Sequence, residues 1–167
     1  MSFIAEALQP YAGEIQDGSW GAKTKASFNN VSWADTPDFA KNAKKSSPAQ
    51  LKGFRYEKRL EIYLTGLTKE LGWTLISHRW VAYNGLFAQV DFILIPPSDP
   101  AILIEAKYTY TDTTEQRKLY TKLLEELGFI SITSCTICHN LTPSTPRDKI
   151  IHTLSGLTQD SIWQLRI

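Results

Sequence analysis

This 167-residue chain predicts an α/β fold, a mixed central sheet flanked by helices, on three observations. A leucine stripe at helical spacing leads into two strand-like runs joined at Asn84-Gly85. A proline-rich turn leads from the second run to a third. A further helical segment, closed by Gly128, then separates the third run from a fourth. Helix, three-strand meander, helix and strand is an order that buries helices against a sheet.

Ser47 and Pro48 start the first helix, because a serine hydroxyl caps free backbone amides and proline suits the first turn. Leu60, Leu64, Leu67 and Leu71 lay one apolar stripe along it, and Gly72 supplies the stop. Trp73 to Tyr83 is rich in β-branched and aromatic residues and reads as a strand. Asn84-Gly85 marks a two-residue hairpin, since both residues tolerate the positive φ that the turn demands. The second strand runs from Leu86 to Ile95, Pro96 to Pro100 form a turn, and Ala101 to Thr109 is the third strand. The second helix covers Thr114 to Leu127. The fourth strand, Phe129 to Cys138, follows by a crossover that favours a right-handed parallel connection. Thr142 to Pro146 is a loop, and Arg147 to Ile167 holds a short helix and an edge strand.

Residues 1–46 read as an irregular arm, broken by Gly13, Gly18, Gly21 and Pro37. Trp20, Phe28, Trp33 and Phe39 give that arm enough aromatic surface to pack on the domain or on a partner. The domain proper is therefore expected over 47–167, with its core at about 50–140.

Composition narrows the function. No apolar run reaches the roughly 18 residues that span a bilayer, so no membrane partner is expected. Met1 to Glu6 lacks the basic start and apolar stretch of a secretory signal, which implies a cytoplasmic protein. The net charge of +1 excludes a chain-wide basic surface. Locally, Lys41, Lys44, Lys45, Lys52, Arg55, Lys58 and Arg59 outnumber Asp35, Asp38 and Glu57. Cys135-Thr136-Ile137-Cys138-His139 has the spelling of a haem-attachment or redox motif. Without an export signal, and with only His139 and His152 nearby as further metal ligands, it reads as thiols packed in a strand.

The informative residues are charges placed where the pattern calls for apolar groups. Extending the first helix's stripe back three residues from Leu60 reaches Glu57, which lies either on the buried face or at its solvated end. Ile102-Leu103-Ile104 is typical of a central strand, and Glu105 and Lys107 then share the face of Leu103. Asp91 interrupts Val90 to Ile95, on the face of Ile93 and Ile95. If Pro96 to Pro100 close a five-residue hairpin loop, Ile95 pairs with Ala101 and Asp91 falls directly opposite Glu105. Their Cβ atoms would then lie about 5 Å apart. Two carboxylates so placed repel, and a divalent cation with hard oxygen ligands, Mg²⁺ or Mn²⁺, removes the conflict. The alternative is a structural ion pair with Lys107. Gln116 and Tyr120 share a face of the second helix, although Thr113-x-x-Gln116 is also a capping box.

Together these positions resemble the PD-(D/E)XK nuclease superfamily. The match rests on Asp91 in the second strand, Glu105-Ala106-Lys107 in the third, Gly53-x-x-x-Glu57 in the first helix, and Gln116-x-x-x-Tyr120 in the second. The last motif is similar to that of the RecB-type branch. Gln89-Val90 departs from the Gly-x-x-Asp or Pro-Asp lead-in of many members, and the four cysteines of iron–sulfur relatives are absent. The resemblance implies a restriction-endonuclease-like core and Mg²⁺- or Mn²⁺-dependent hydrolysis of DNA. Asp91, Glu105 and the carbonyl of Ala106 would ligate the ion, and Glu57 would hold a water or second ion. Lys107 would orient the attacking water, with Gln116 and Tyr120 as positioning groups. Arg55, Lys58, Arg79, Arg117 and Lys118 are candidates for the phosphate track. Lys52-Gly53-x-x-x-Glu57 also resembles Holliday-junction resolvases, which implies a homodimer. A restriction-type endonuclease and a non-catalytic nucleic-acid- or protein-binding module are the remaining alternatives. His78, beside Arg79 and Trp80, reads as an ordinary strand residue.

Overall fold

A computed structural model describes residues 28–41, 47–98 and 100–167. Gly13, Gly18, Trp20, Gly21, Lys44, Lys45, Asp99 and the Met1–Glu6 start lie outside the described residues.

The helical stripe with its flanking caps forms a long helix, Pro48–Leu71, preceded in the chain by a short turn of helix, Asp38–Lys41. We label the short one α1 and the long one α2. At the start of α2 the Ser47 hydroxyl accepts from the Gln50 amide, and the Gln50 side chain answers the Ser47 amide. Gly72 closes α2 at φ 73°, a left-handed conformation that side chains with a Cβ adopt at a cost. The buried row is Tyr56, Leu60, Leu64 and Thr68, while Leu71 is exposed. Leu60, Leu64 and the half-buried Leu67 keep to the expected row, while Tyr56 and Thr68 take its ends, so Glu57 borders the stripe instead of continuing it.

Strands β1 (Ser32–Ala34), β2 (Thr74–Tyr83), β3 (Leu86–Ile95), β4 (Ala101–Thr109), β5 (Ile132–Asn140), β6 (Ile150–Ile151) and β7 (Ser161–Gln164) form one mixed sheet in the order β1-β2-β3-β4-β5-β7-β6. β1 to β4 pair antiparallel, whereas β4-β5, β5-β7 and β6-β7 pair parallel. Helix α3 (Thr114–Glu126) makes the crossover from β4 to β5. Asn84 and Gly85 both have positive φ, as the tight β2–β3 hairpin requires.

Of the two placements expected for the arm, on the domain or on a partner, the described residues 28–41 take the first: β1 pairs with β2, and Phe39 packs edge-on against Trp80. The fourth strand begins at Ile132 and not Phe129, because Phe129 to Ser131 carry the chain back from α3 with Ile130 fully exposed. The last strand, β7, is inserted between β5 and the edge strand β6.

Each face of the sheet carries its own core. Leu103, Ile93, Val90 and Val81 pack against Leu119, Tyr120, Leu123 and Leu124 of α3. On the other face Phe92, Leu94, Ile102 and Ile104 pack against Tyr56, Leu60 and Leu64 of α2. Cys135 and Cys138 are buried and form no disulfide. Burial pushes the Cys135 thiol up to about 12 and the Cys138 thiol up to about 11, so neither is a reactive thiolate at neutral pH. Among the described residues, no helix is long and apolar enough to cross a membrane.

Candidate metal centre

Asp91 and Glu105 meet where two strand ladders open. The β3–β4 register pairs Phe92 with Ile104, Ile93 with Leu103, and Leu94 with Ile102, as a five-residue loop dictates. One step further, at Asp91 and Glu105, the paired ladder has ended. The Asp91 side chain occupies the gap, where Oδ2 accepts from the Ala106 amide at 2.9 Å.

The β2–β3 ladder is interrupted at the same level. Its rungs run on either side, Ser77 with Phe92 and Arg79 with Val90, but the rung between them, His78 opposite Asp91, is absent. His78 has φ 50°, a left-handed conformation uncommon for a residue with a Cβ. The kink changes which face the strand residues serve. Ile76 and Val81, five positions apart, both lie in the α3-side core, and so do Val90 and Ile93, three apart on the partner strand. A regular strand would send each such pair to opposite faces. The result is a fork in the sheet into which His78 and Asp91 project toward α2.

Glu57 comes to the fork from α2. One carboxylate oxygen of Glu57, one of Asp91 and a ring nitrogen of His78 all lie within 4.8 Å of one another. His78 Nδ1 is 3.8 Å from Glu57 Oε1, and the imidazole is held edge-on against Phe92 with centroids 5.0 Å apart. One turn further along α2, Glu61 accepts from Ser77 at 2.7 Å and ties the helix to β2 beside His78. Past the fork, the Tyr108 ring stacks on His139 at 4.9 Å and meets Tyr56 edge-on, which fixes β4 next to Lys107.

The electrostatics are those of an uncompensated acidic site. Glu105 is 3% exposed, and its Oε1 is buried without a hydrogen-bond partner. Burial first, then the charge of the nearby Asp91, holds Glu105 well above the usual carboxylate range. Burial also raises Asp91, against the opposing pull of the Ala106 amide and His78. Glu57 is pushed up to about 8 by burial and by Asp91, with Lys107 working the other way. Lys107 makes no ion pair within 4.0 Å among the described residues, yet its charge acts on all three acids. The structural Lys107 ion pair considered from sequence does not form.

Glu57, Asp91 and His78 hold ligand atoms close enough to share a divalent cation, and the neighbouring Glu105, with its buried, unpartnered oxygen, adds an acid whose charge such an ion would offset. His78 is the residue that sequence reading missed, although a signal was present. A two-residue loop at Asn84-Gly85 pairs Tyr83 with Leu86, and counting on from there sets His78 opposite Asp91.

The remaining candidates are placed less directly. Thr113 occupies the N-cap of α3, but its side chain makes no capping hydrogen bond, so no capping box forms with Gln116. The Thr113 hydroxyl is engaged with Thr136 and Arg117. Gln116 is half-buried one turn before Tyr120 and makes no hydrogen bond to the three acids or Lys107. Tyr120 is buried in the core behind the fork. Arg55 and Lys58 are exposed on α2 beside Phe54, and Arg79 lies over the Trp33 ring at 5.2 Å. Lys118 is exposed and paired with Glu115. Arg117 is not the solvent-facing phosphate ligand expected: it is 6% exposed and donates to Thr113, Ser134 and Asp160.

No family model, curated protein or solved structure matches this chain.

Proposed function

We propose that this chain is a metal-dependent nuclease that hydrolyses DNA phosphodiester bonds at the fork between β3 and β4. The observation that carries the reading is the cluster of Glu57, Asp91 and His78, with ligand atoms within 4.8 Å of one another, beside Glu105, whose Oε1 is buried and unpartnered, and Lys107 two residues along the same strand. A helix, a three-strand meander, a crossover helix and a parallel strand surround these residues in the order that the nuclease resemblance implies.

Asp91 and Glu105 are the primary ligands, with Glu57, His78 and the Ala106 carbonyl completing the set. A bound Mg²⁺ or Mn²⁺ supplies Lewis acidity at the phosphoryl oxygen and a lowered pKa for the attacking water. Lys107 orients that water and offsets the charge that builds on the phosphoryl oxygens. Glu57, within 4.8 Å of ligand atoms of Asp91 and His78, would hold a metal-bound water or a second ion. The assignment to DNA rests on the resemblance.

Incubation of the purified chain with linear duplex, single-stranded and four-way-junction DNA tests the proposal. Cleavage of at least one substrate with Mn²⁺ or Mg²⁺, abolished by EDTA, is expected. Junction-selective, paired cuts would assign the resolvase-type activity. Intact DNA in all three reactions would overturn the proposal.

His78 sharpens the choice of ion. An imidazole ligand favours Mn²⁺ over Mg²⁺, which prefers oxygen donors. Pulsed electron paramagnetic resonance of the Mn²⁺-loaded chain is expected to show directly bound nitrogen, lost in His78→Gln, together with about a tenfold weaker Mn²⁺ affinity. Mn²⁺ bound without nitrogen modulation would remove His78 from the ligand set while leaving the acidic site standing.

A further inference from the structure

On the α3 face, away from the fork, a cavity of about 370 Å³ lies between α3 and the turn that leads into β7. Its walls carry three cations, Arg117, Lys118 and Lys122, against one acid, Asp160. Hydroxyls of Thr114, Thr121 and Ser134 and the amide of Gln159 complete the lining. Lys118 and Lys122 are exposed, whereas Arg117 is almost fully buried.

The floor of the cavity is rigidly built. Arg117 donates from Nε to Thr113 at 2.8 Å and from Nη1 to Ser134 and Asp160, both at 2.7 Å. Gln159 donates to Ser134 at 3.0 Å and accepts from the Ser134 amide at 2.9 Å. Nη2 of Arg117 takes no part in these bonds and is the donor that remains for a ligand. A guanidinium fixed on two sides, with the exposed ammonium groups of Lys122 and of Lys118, the latter 3.5 Å from Glu115, beside it, is a donor set for phosphate oxygens.

A polar chain connects this floor to the fork. Glu105 and Thr136 are register partners on adjacent strands, and their side chains emerge on the same face. Thr136 meets Thr113 at 2.8 Å, and Thr113 accepts from Arg117 at 2.8 Å. One strand spacing of about 4.8 Å plus those two bonds places the guanidinium on the order of 10 Å from Glu105. Phosphates of a B-form strand advance about 3.4 Å along the axis per nucleotide, and further when extended, so this span reaches a neighbouring phosphate of the same strand.

Resting on the nuclease reading, we propose that this cavity binds a backbone phosphate of the DNA strand, about one to three nucleotides from the bond held at the fork. Lys118 and Lys122 contact its oxygens and Arg117 sets the floor. Asp160 keeps the guanidinium in place, and the net positive lining selects an anion.

The test uses the full chain without metal, in EDTA, so that it reads binding apart from cleavage. A fluorescent single-stranded oligonucleotide is titrated by anisotropy at several salt concentrations, with pyrophosphate as a second probe. Lys118→Ala/Lys122→Ala alters exposed positions only and keeps the fold. The double variant is expected to bind the oligonucleotide about tenfold more weakly and to lower the salt slope by about one to two. Unchanged oligonucleotide affinity and slope in the double variant would overturn the proposal. So would a loss confined to pyrophosphate, which would make the cavity a site for a small free anion. Failure of cleavage with Mn²⁺ while the salt-slope effect persists would count against the nuclease reading alone.

Discussion

Lys107→Ala is expected to reduce Mn²⁺-dependent DNA cleavage by about 10³-fold or more, because a charge aimed at the developing transition state is lost. The fold should survive, since Lys107 is half-buried and makes no ion pair among the described residues. Asp91→Asn should abolish cleavage too, by a different route. Asparagine keeps an oxygen to accept from the Ala106 amide, so the strand fork persists while the primary ligand charge is gone. Calorimetry separates the two. Lys107→Ala retains Mn²⁺ binding, whereas Asp91→Asn loses it, and the metal-free Asp91→Asn chain melts higher than wild type because a buried charge has been removed. Near-wild-type cleavage by both variants would show that the chemistry lies elsewhere.

The metal-free chain should also lose stability as pH rises from about 5 to 8. Glu57, Asp91 and Glu105 all have folded-state pKa values above their ordinary ones, Glu57 at about 8. A raised carboxyl means that the folded chain holds a proton which the unfolded chain releases. Stability from these groups is therefore complete below the ordinary carboxylate range. It declines above that range, until Glu57 has ionised near pH 8. The loss should reach a few kcal/mol, on the order of 5–10 °C in Tm for a chain of this size. Saturating Mn²⁺ displaces the protons and reverses the trend, so the gap between loaded and metal-free Tm widens with pH. Thermal melts in metal-free and Mn²⁺-containing buffers across that range give both slopes. A metal-free Tm that is flat or rising over this range would contradict the charge distribution at the fork.

Much of this arrangement is legible in the sequence because local chemistry and period agree. Ser47, Pro48 and Gly72 mark the ends of α2, and Asn84-Gly85 with Pro96 to Pro100 fix the registers of three strands. Those registers bring Asp91 level with Glu105. What the sequence hides is tertiary. The left-handed turn at His78 reverses the alternation of two strands, and the β-branched and aromatic residues around it read as one unbroken strand. Arg117 is drawn inward by Ser134 and Asp160, the latter far along the chain, so its charge does not report on exposure. β1 adds to the sheet edge through only three residues, too few to show a period.

The most direct measurement is the anomalous scattering of Mn²⁺ in a crystal of the chain. One strong peak is expected within coordination distance of Asp91 and Glu105 carboxylate oxygens, with the Lys107 ammonium beside it. A fully ordered fork with no peak between those two acids, at Mn²⁺ concentrations that support cleavage, would contradict that placement.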